Sequence, residues 1–286
     1  MPIYQRKKCK STISNQKYYY LKISDSGKKH IISKLEYETH KLKAGNSEQF
    51  NSKLVRKCFN ISKKHYPRKG KMGPMTWDFM TSINEHKIIL AYLQYVLDKK
   101  IEGSVVELGC HNGNTTVMIQ RLLQLNQSKK EVIVYDSFQG FPDVKHNADD
   151  GWGDEGELKT SIKKFKRNLK NNKVKIPKIV PGFFSDIPDH QYPDKIAFAF
   201  YDGDLYQSTI DALEKIYHKM SPGGVIVFDD YKNPQQNMYP GVKKACEKFL
   251  GKNNKVEFIG TRNLLGSKDN FFNVKEEHIS QAVLIC

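Results

Sequence analysis

A chain of 286 residues, 38% hydrophobic and 27% charged, has room for one large α/β domain and is too long for a mini-protein that depends on a disulfide scaffold. Its five cysteines, Cys9, Cys58, Cys110, Cys246 and Cys286, show no C-x-x-C or finger spacing, which points to a reducing compartment and away from a structural zinc site. No apolar run approaches the length of a membrane span and no apolar core follows the basic N-terminus, so the expectation is a cytoplasmic protein without a span or a secretory signal.

The net charge of +16 is unevenly placed. Residues 1–73 hold 19 Lys and Arg against 4 Asp and Glu, a net of +15, whereas the remaining 213 residues are nearly balanced. This divides the chain into a basic N-terminal extension, 1–73, and a neutral domain, 74–286. Periodicity in the extension is weak: Tyr18 to Ile23 reads as a strand, Ile31 to Leu42 and Phe50 to Ile61 as short helices, and Pro67, Gly70, Gly73 and Pro74 as a linker. Two readings stand side by side, an arm for nucleic acid, an anionic glycan or an acidic partner, and a solvated Lys-rich extension, with nucleic acid not favoured.

The neutral domain alternates regularly. Asn84 to Leu97 carries a helical apolar stripe, Ser104 to Leu108 is a short apolar run, and Thr115 to Leu125 is helical again. Glu131 to Tyr135 reads as the next strand, and a loop rich in Asp and Gly, Asp143 to Glu157, leads to a basic helix from Leu158 to Leu169. Strands at Lys178 to Val180, Ile196 to Tyr201 and Val225 to Phe228 follow, with helices at Ser208 to Met220 and Gly241 to Phe249. Val256 to Ile259 and Ala282 to Cys286 would add edge strands. This rhythm describes an α/β protein with a doubly wound, mostly parallel sheet.

Three sets of residues at predicted strand ends carry the chemistry. Glu107-Leu-Gly109-x-x-x-Gly113 lies between a strand and a helix, where such sheets bind ligands. His111 occupies the place of the second dinucleotide glycine and a Walker lysine is missing, so the loop suits a ligand with an amino-acid tail and a ribose, such as S-adenosylmethionine. Asp136 ends the next strand, where a carboxylate can accept from both ribose hydroxyls, although a turn or capping role explains it as well. Asp202, Asp229 and Asp230 close two strands expected to be adjacent, about 4.8 Å apart. Carboxylates crowded in this way repel one another unless a hard cation such as Mg²⁺ lies between them. Asp204 lies at the mouth of the same site as a candidate general base, or else caps the following helix.

The spaced set Val106-Glu107-Leu-Gly109-x-x-x-Gly113, Tyr135-Asp136-Ser137-Phe138-x-Gly140-Phe141-Pro142, Gly182-x-Phe184, Asp202-Gly-Asp204-Leu-Tyr206-x-Ser208-Thr209, and Ser221-Pro-Gly-Gly224 with Asp229-Asp230-Tyr231 resembles the macrocin O-methyltransferase (TylF-like) family. The resemblance runs from about Thr76 to Phe249 and leaves the basic extension unexplained. It implies a class I methyltransferase with a Rossmann-like fold, methylating sugar hydroxyls with S-adenosyl-L-methionine and a divalent metal. By position it places Glu107, Gly109, Gly113 and Thr115 at the methionine end, Asp136 and Ser137 at the ribose, Phe184 near the adenine, and Thr76 in a segment folding over the cofactor. Asp202 contributes to the same site and, with Asp229 and Asp230, to the metal; Asp204 becomes the base. His111 and Asn112 stand where many relatives carry an aromatic residue and Arg, which leaves the acceptor open. The expected partner is a small-molecule or glycan acceptor, with an anionic one compatible with the basic arm; a homo-oligomer is left open. Rival readings are a methyltransferase for phenols, catechols or RNA ribose, and a non-catalytic polyanion-binding protein.

Overall fold

The computed structural model describes residues 3–8, 18–23, 29–32, 52–62, 81, 83–143, 146–231, 239–251, 255–259 and 281–286, through the backbone alone in 3–8, 18–23, 29–32, 83–84 and 258. Three N-terminal strands, β1 (Ile3–Lys8), β2 (Tyr18–Ile23) and β3 (Lys29–Ile32), pair antiparallel in that order. Only the second was legible in the sequence, and Ile31 and Ile32 belong to a strand rather than to the expected helix, whose remaining residues lie outside the described ones. The predicted linker also lies outside them.

The neutral domain contributes β4 (Ser104–Leu108), β5 (Val132–Asp136), β6 (Lys178–Pro181), β7 (Ile196–Tyr201), β8 (Met220–Phe228), β9 (Glu257–Phe258) and β10 (Ala282–Ile285). They form a seven-stranded sheet of order β6-β5-β4-β7-β8-β10-β9, in which β10 alone runs against the others. The helices are α1 (Lys53–Ser62), α2 (Ile83–Asp98), α3 (Asn114–Leu125), α4 (Ile162–Asn171), α5 (Tyr206–Ile216) and α6 (Gly241–Leu250). Because side chains alternate along a strand, Val105 of β4 packs in the core on one face with residues of α1 to α4. Val106 and Leu108 pack on the other face with α5 and α6. Among the described residues, no helix is long and apolar enough to cross a membrane.

Two differences from the sequence reading have local causes. The basic helix starts at Ile162 rather than Leu158, since Leu158 has a left-handed φ of 63° and Ser161 accepts the Lys164 N–H at 3.2 Å as N-cap. The strand expected at Val225 begins at Met220, so that Ser221 to Gly224 extend it.

Packing also crosses the boundary that charge suggests at residue 73. Val55 and Cys58 of α1 are fully buried in the same core as α2 and α3. The Cys58 thiol reaches the Met118 carbonyl at 3.4 Å, and buried Arg121 donates to Ser62 Oγ at 2.5 Å and to the Asn172 carbonyl at 2.9 Å. A chain starting at residue 74 therefore exposes apolar surface and deprives the Arg121 guanidinium of the Ser62 acceptor. It should melt about 10 °C or more below a chain starting at residue 51, as expected when several buried side chains are lost together. Thermal unfolding of the two truncations checks this, and equal midpoints would show that α1 contributes nothing to the core.

Candidate active site

The register brings the chemical residues to one edge. Leu108 pairs with both Tyr135 and Tyr201, and Tyr201 with Phe228, so β4, β5, β7 and β8 end level. The next residues continue the hydrogen-bond ladder by a step: Gly109 N–H donates to the Tyr135 carbonyl at 2.8 Å, Asp202 N–H to Leu108 at 2.8 Å, and Asp229 N–H to Tyr201 at 2.8 Å. The topological switch point lies here, where β4 is flanked by β5 on one side and β7 on the other.

The glycine loop needs its glycines for space. Gly109 has φ +87°, and a Cβ on it would run into the Asp202 carbonyl oxygen; Gly113, at φ +81°, would drive one into Phe165 and Leu169. Asp136 fixes the loop from the neighbouring strand. Its Oδ2 accepts the N–H groups of Cys110 at 2.9 Å and His111 at 2.7 Å, and its Oδ1 accepts that of Phe138 at 2.7 Å. The turn role expected for Asp136 is thus present, at the C-terminal end of its strand. Ser137 makes a local turn, accepting from Gln139 N–H at 3.0 Å and donating to the Gly140 carbonyl at 2.9 Å. Glu107 is 1% exposed and accepts from Thr116 Oγ1 at 2.5 Å; burial pushes its carboxyl up to about 8. Phe184 is buried beside Gly203 and Tyr201. Thr76 lies outside the described residues.

Asp202, Asp204 and Asp230 converge, each with a carboxylate oxygen within 4.8 Å of the others. Asp229 is not in that trio: it is buried, and its Oδ1 accepts the Asp230 N–H at 3.2 Å. The strand-end pattern made no distinction between the paired aspartates, whereas left-handed backbone at Asp204, φ 61°, and at Asp230, φ 48°, shapes the group that forms. Burial, then the negative charges of Asp229, Asp204, Asp230 and Glu107, push the Asp202 carboxyl well above the usual range. Burial is also the largest cause at Asp230, which is raised, and at Asp204, which is pushed up to about 7 although a hydrogen bond from Asp230 opposes the shift. A half-buried knot of oxygen ligands with this much mutual repulsion fits a hard divalent cation.

Several residues at the site were not singled out from the sequence. His86 Nε2 lies 3.1 Å from Thr115 Oγ1, both buried, and the charge of Glu85 helps to raise Asp230. The run Glu85-His86-Lys87, buried in an otherwise apolar helix, was the available clue. Phe141, Leu205 and Tyr239 form a small apolar cluster, and the Trp152 ring lies 5.6 Å from that of Tyr239. The Tyr239 hydroxyl is raised first by burial and then by the charges of Asp204, Glu157, Asp230 and Asp202, which places this aromatic wall in the field of the carboxylates. The loop carrying Trp152 is anchored by Asp149, 2% exposed, whose Oδ1 accepts the Tyr206 N–H at 2.8 Å at the start of α5.

With this geometry in view, the comparisons with known proteins decide the family. The family model described as macrocin-O-methyltransferase (TylF) matches residues 18–259. The chain belongs to the macrocin-O-methyltransferase family. It is accordingly an O-methyltransferase, with S-adenosylmethionine as its methyl donor. The demethyldecarbamoylnovobiocin O-methyltransferase of Streptomyces niveus is 29% identical over 195 residues, 64% of this chain and 71% of the relative. A Streptomyces olivaceus enzyme named as an 8-demethyl-8-(2,3-dimethoxy-alpha-L-rhamnosyl)-tetracenomycin-C 4'-O-methyltransferase is 31% identical over 154 residues, 49% of this chain and 58% of the relative. Among solved structures, the O-methyltransferase NovP superposes with a TM-score of 0.57 at 26% identity, covering 71% of this chain and 80% of its own. The calicheamicin methyltransferase CalS11 shares the fold, with a TM-score of 0.55 at 21% identity over 92% of this chain and 99% of its own.

Proposed function

We propose that this protein methylates a sugar hydroxyl, with Asp204 as the general base and a divalent cation, Mg²⁺ by preference for oxygen ligands, held by Asp202 and Asp230. The observation that carries the reading is the convergence of Asp202, Asp204 and Asp230 beside the glycine loop, with Gly109 packed against the Asp202 backbone. The rhamnosyl group in the name of the S. olivaceus relative supports a sugar acceptor. Asp229 lies behind the trio, where its charge raises Asp202; its own ligand role would require its carboxylate to turn toward Asp202 and Asp230.

The residues divide the work. Asp136 holds the glycine loop through the Cys110 and His111 amides, and its Oδ1 keeps accepting capacity for a ribose hydroxyl beside the Phe138 bond. Ser137 closes the adjoining turn, and Phe184 lines the neighbouring apolar surface toward the adenine. Glu107, Gly109, Gly113 and Thr115 frame the end at which the methionine portion would lie, with His86 setting the Thr115 hydroxyl. Phe141, Trp152 and Tyr239 supply a wall for the acceptor, and Asp204, raised to about 7, takes the proton from the attacking hydroxyl near neutral pH. A bound divalent cation supplies positive charge that eases loss of that proton. In-line methyl transfer joins an oxygen of developing negative charge to a sulfonium, so most of the acceleration comes from alignment.

Calorimetry with S-adenosylmethionine, with and without Mg²⁺, tests the cofactor part. Asp136→Ala removes the acceptor for three amides and should weaken binding about 30-fold or more, in keeping with roughly 1–3 kcal/mol for each buried donor left unpaired. Unchanged affinity would remove Asp136 from the site. Formation of S-adenosylhomocysteine with sugar glycosides but not with catechols supports the acceptor class, and the reverse preference overturns it.

A further inference from the structure

The strand register of the N-terminal sheet places three of its four tyrosines and three of its five Lys and Arg residues on one face. Tyr4 pairs with Lys22, Arg6 with Tyr20 and Lys8 with Tyr18, and paired residues share a face. Lys22 in turn pairs with His30 of β3. With alternation of period two, one face carries Tyr4, Arg6, Lys8, Tyr18, Tyr20 and Lys22, with His30 and Ile32 continuing it on β3. The other face carries the four aliphatic residues Ile3, Leu21, Ile23 and Ile31 together with Gln5, Lys7, Tyr19 and Lys29. None of the three strand sequences, IYQRKK, YYYLKI and KHII, contains an acid.

We propose that the aromatic and basic face of this sheet binds single-stranded nucleic acid. Residues of one face repeat about 6.8 Å apart along a strand and about 4.8 Å apart across strands, so each of the three tyrosines faces a cation across the β1–β2 pair, within a nucleotide's reach. Single strands are held by this combination, bases stacking on aromatic rings while cations follow the phosphates. The sulfate- and carboxylate-bearing rings of an acidic polysaccharide offer the three tyrosines less flat apolar surface than nucleobases do. Charge complementarity extends beyond the face, since residues 1–73 carry a net +15. The face lies on the N-terminal sheet and uses none of Asp202, Asp204 and Asp230, so the strand is proposed as a bound partner and not as the methyl acceptor. The proposal therefore stands independently of the acceptor assigned above.

The test uses the full chain and fluorescein-labelled 20-nucleotide dT and rU, followed by anisotropy across a KCl series. Three phosphate contacts, from Arg6, Lys8 and Lys22, predict a log–log salt slope of about −2. Replacing those three by Gln should weaken binding at least about tenfold and flatten the slope by about 2. Tyr18→Ala with Tyr20→Ala should weaken it about tenfold or more with the slope kept, while Tyr18→Phe with Tyr20→Phe, which leaves the rings in place, should bind as the parent does. Lys7→Gln with Lys29→Gln, on the opposite face, should change affinity less than about threefold. Circular dichroism confirms that each variant folds. Lack of binding at 100 mM KCl, equal losses from the two faces, or a heparin fragment that binds as tightly and ignores the tyrosine changes would each overturn the proposal.

Discussion

Replacing Asp204 by asparagine is expected to lower kcat about 1,000-fold, within the range assigned to a positioned general base, while S-adenosylmethionine binds within about threefold of the parent. Asparagine keeps the size and the left-handed backbone that Asn tolerates nearly as well as Gly, so the φ of 61° at this position is not the source of the loss. What disappears is the proton acceptor, whose carboxyl burial and neighbouring acids hold near 7. Asp204 also belongs to the carboxylate trio, so its removal weakens the cation as well. The two effects separate when Asp230→Asn is measured beside it. If Asp204 is the base, excess Mg²⁺ restores much of the Asp230→Asn activity and none of the Asp204→Asn activity. Recovery of both to the same level would reduce Asp204 to a ligand, and loss of cofactor binding in Asp204→Asn would make it structural.

The sequence made the central sheet legible for a simple reason. Ile196 to Tyr201 and Ser104 to Leu108 are nearly continuous apolar runs stopped by Asp or Gly, and strands buried on both faces read that way. The same logic fails at the N-terminus, where β1 (IYQRKK) and β3 (KHII) have neither a continuous apolar run nor a regular alternation and look like solvated chain until the register pairs them. It fails again at α1, whose buried Val55, Cys58 and Phe59 lie in a segment that composition assigns to the extension. In the site, spacing identified the aspartates but not their grouping, since the left-handed residues at Asp204 and Asp230 are backbone choices without a residue-type signature. The aromatic wall was out of reach for a different reason: Phe141, Trp152 and Tyr239 meet only after two loops far apart in sequence fold over the sheet edge.

Without added metal, the protein should lose stability as pH rises from about 4 to 8, and Mg²⁺ should reverse the loss. Asp204 moves from 3.8 to about 7 and Glu107 from 4.5 to about 8 on folding, both chiefly through burial, and Asp202 and Asp230 shift in the same direction. A folded carboxyl with a raised pKa binds more protons than its unfolded counterpart between the two values, so its contribution is complete below the unfolded pKa and lost as pH climbs through the folded one. The window is therefore pH 4 to 8, opposite in sign to that of a salt-bridged carboxylate. A divalent cation competes with those protons and binds the ionised trio, so its stabilisation must grow along the same interval. At 100 times its dissociation constant it contributes about 2.7 kcal/mol, or a midpoint shift of roughly 5–10 °C for a domain of this size. Thermal melts at pH 5 and pH 8, with 10 mM MgCl₂ or with EDTA, should show a large Mg²⁺ shift at pH 8 and little at pH 5. Asp230→Asn should flatten both the metal response and part of the pH slope, because it removes one of the three repelling charges along with one ligand. An Mg²⁺ shift that is absent at pH 8, or identical at both values, would take the cation away from these carboxylates and leave Asp202, Asp204 and Asp230 as a proton-sharing cluster.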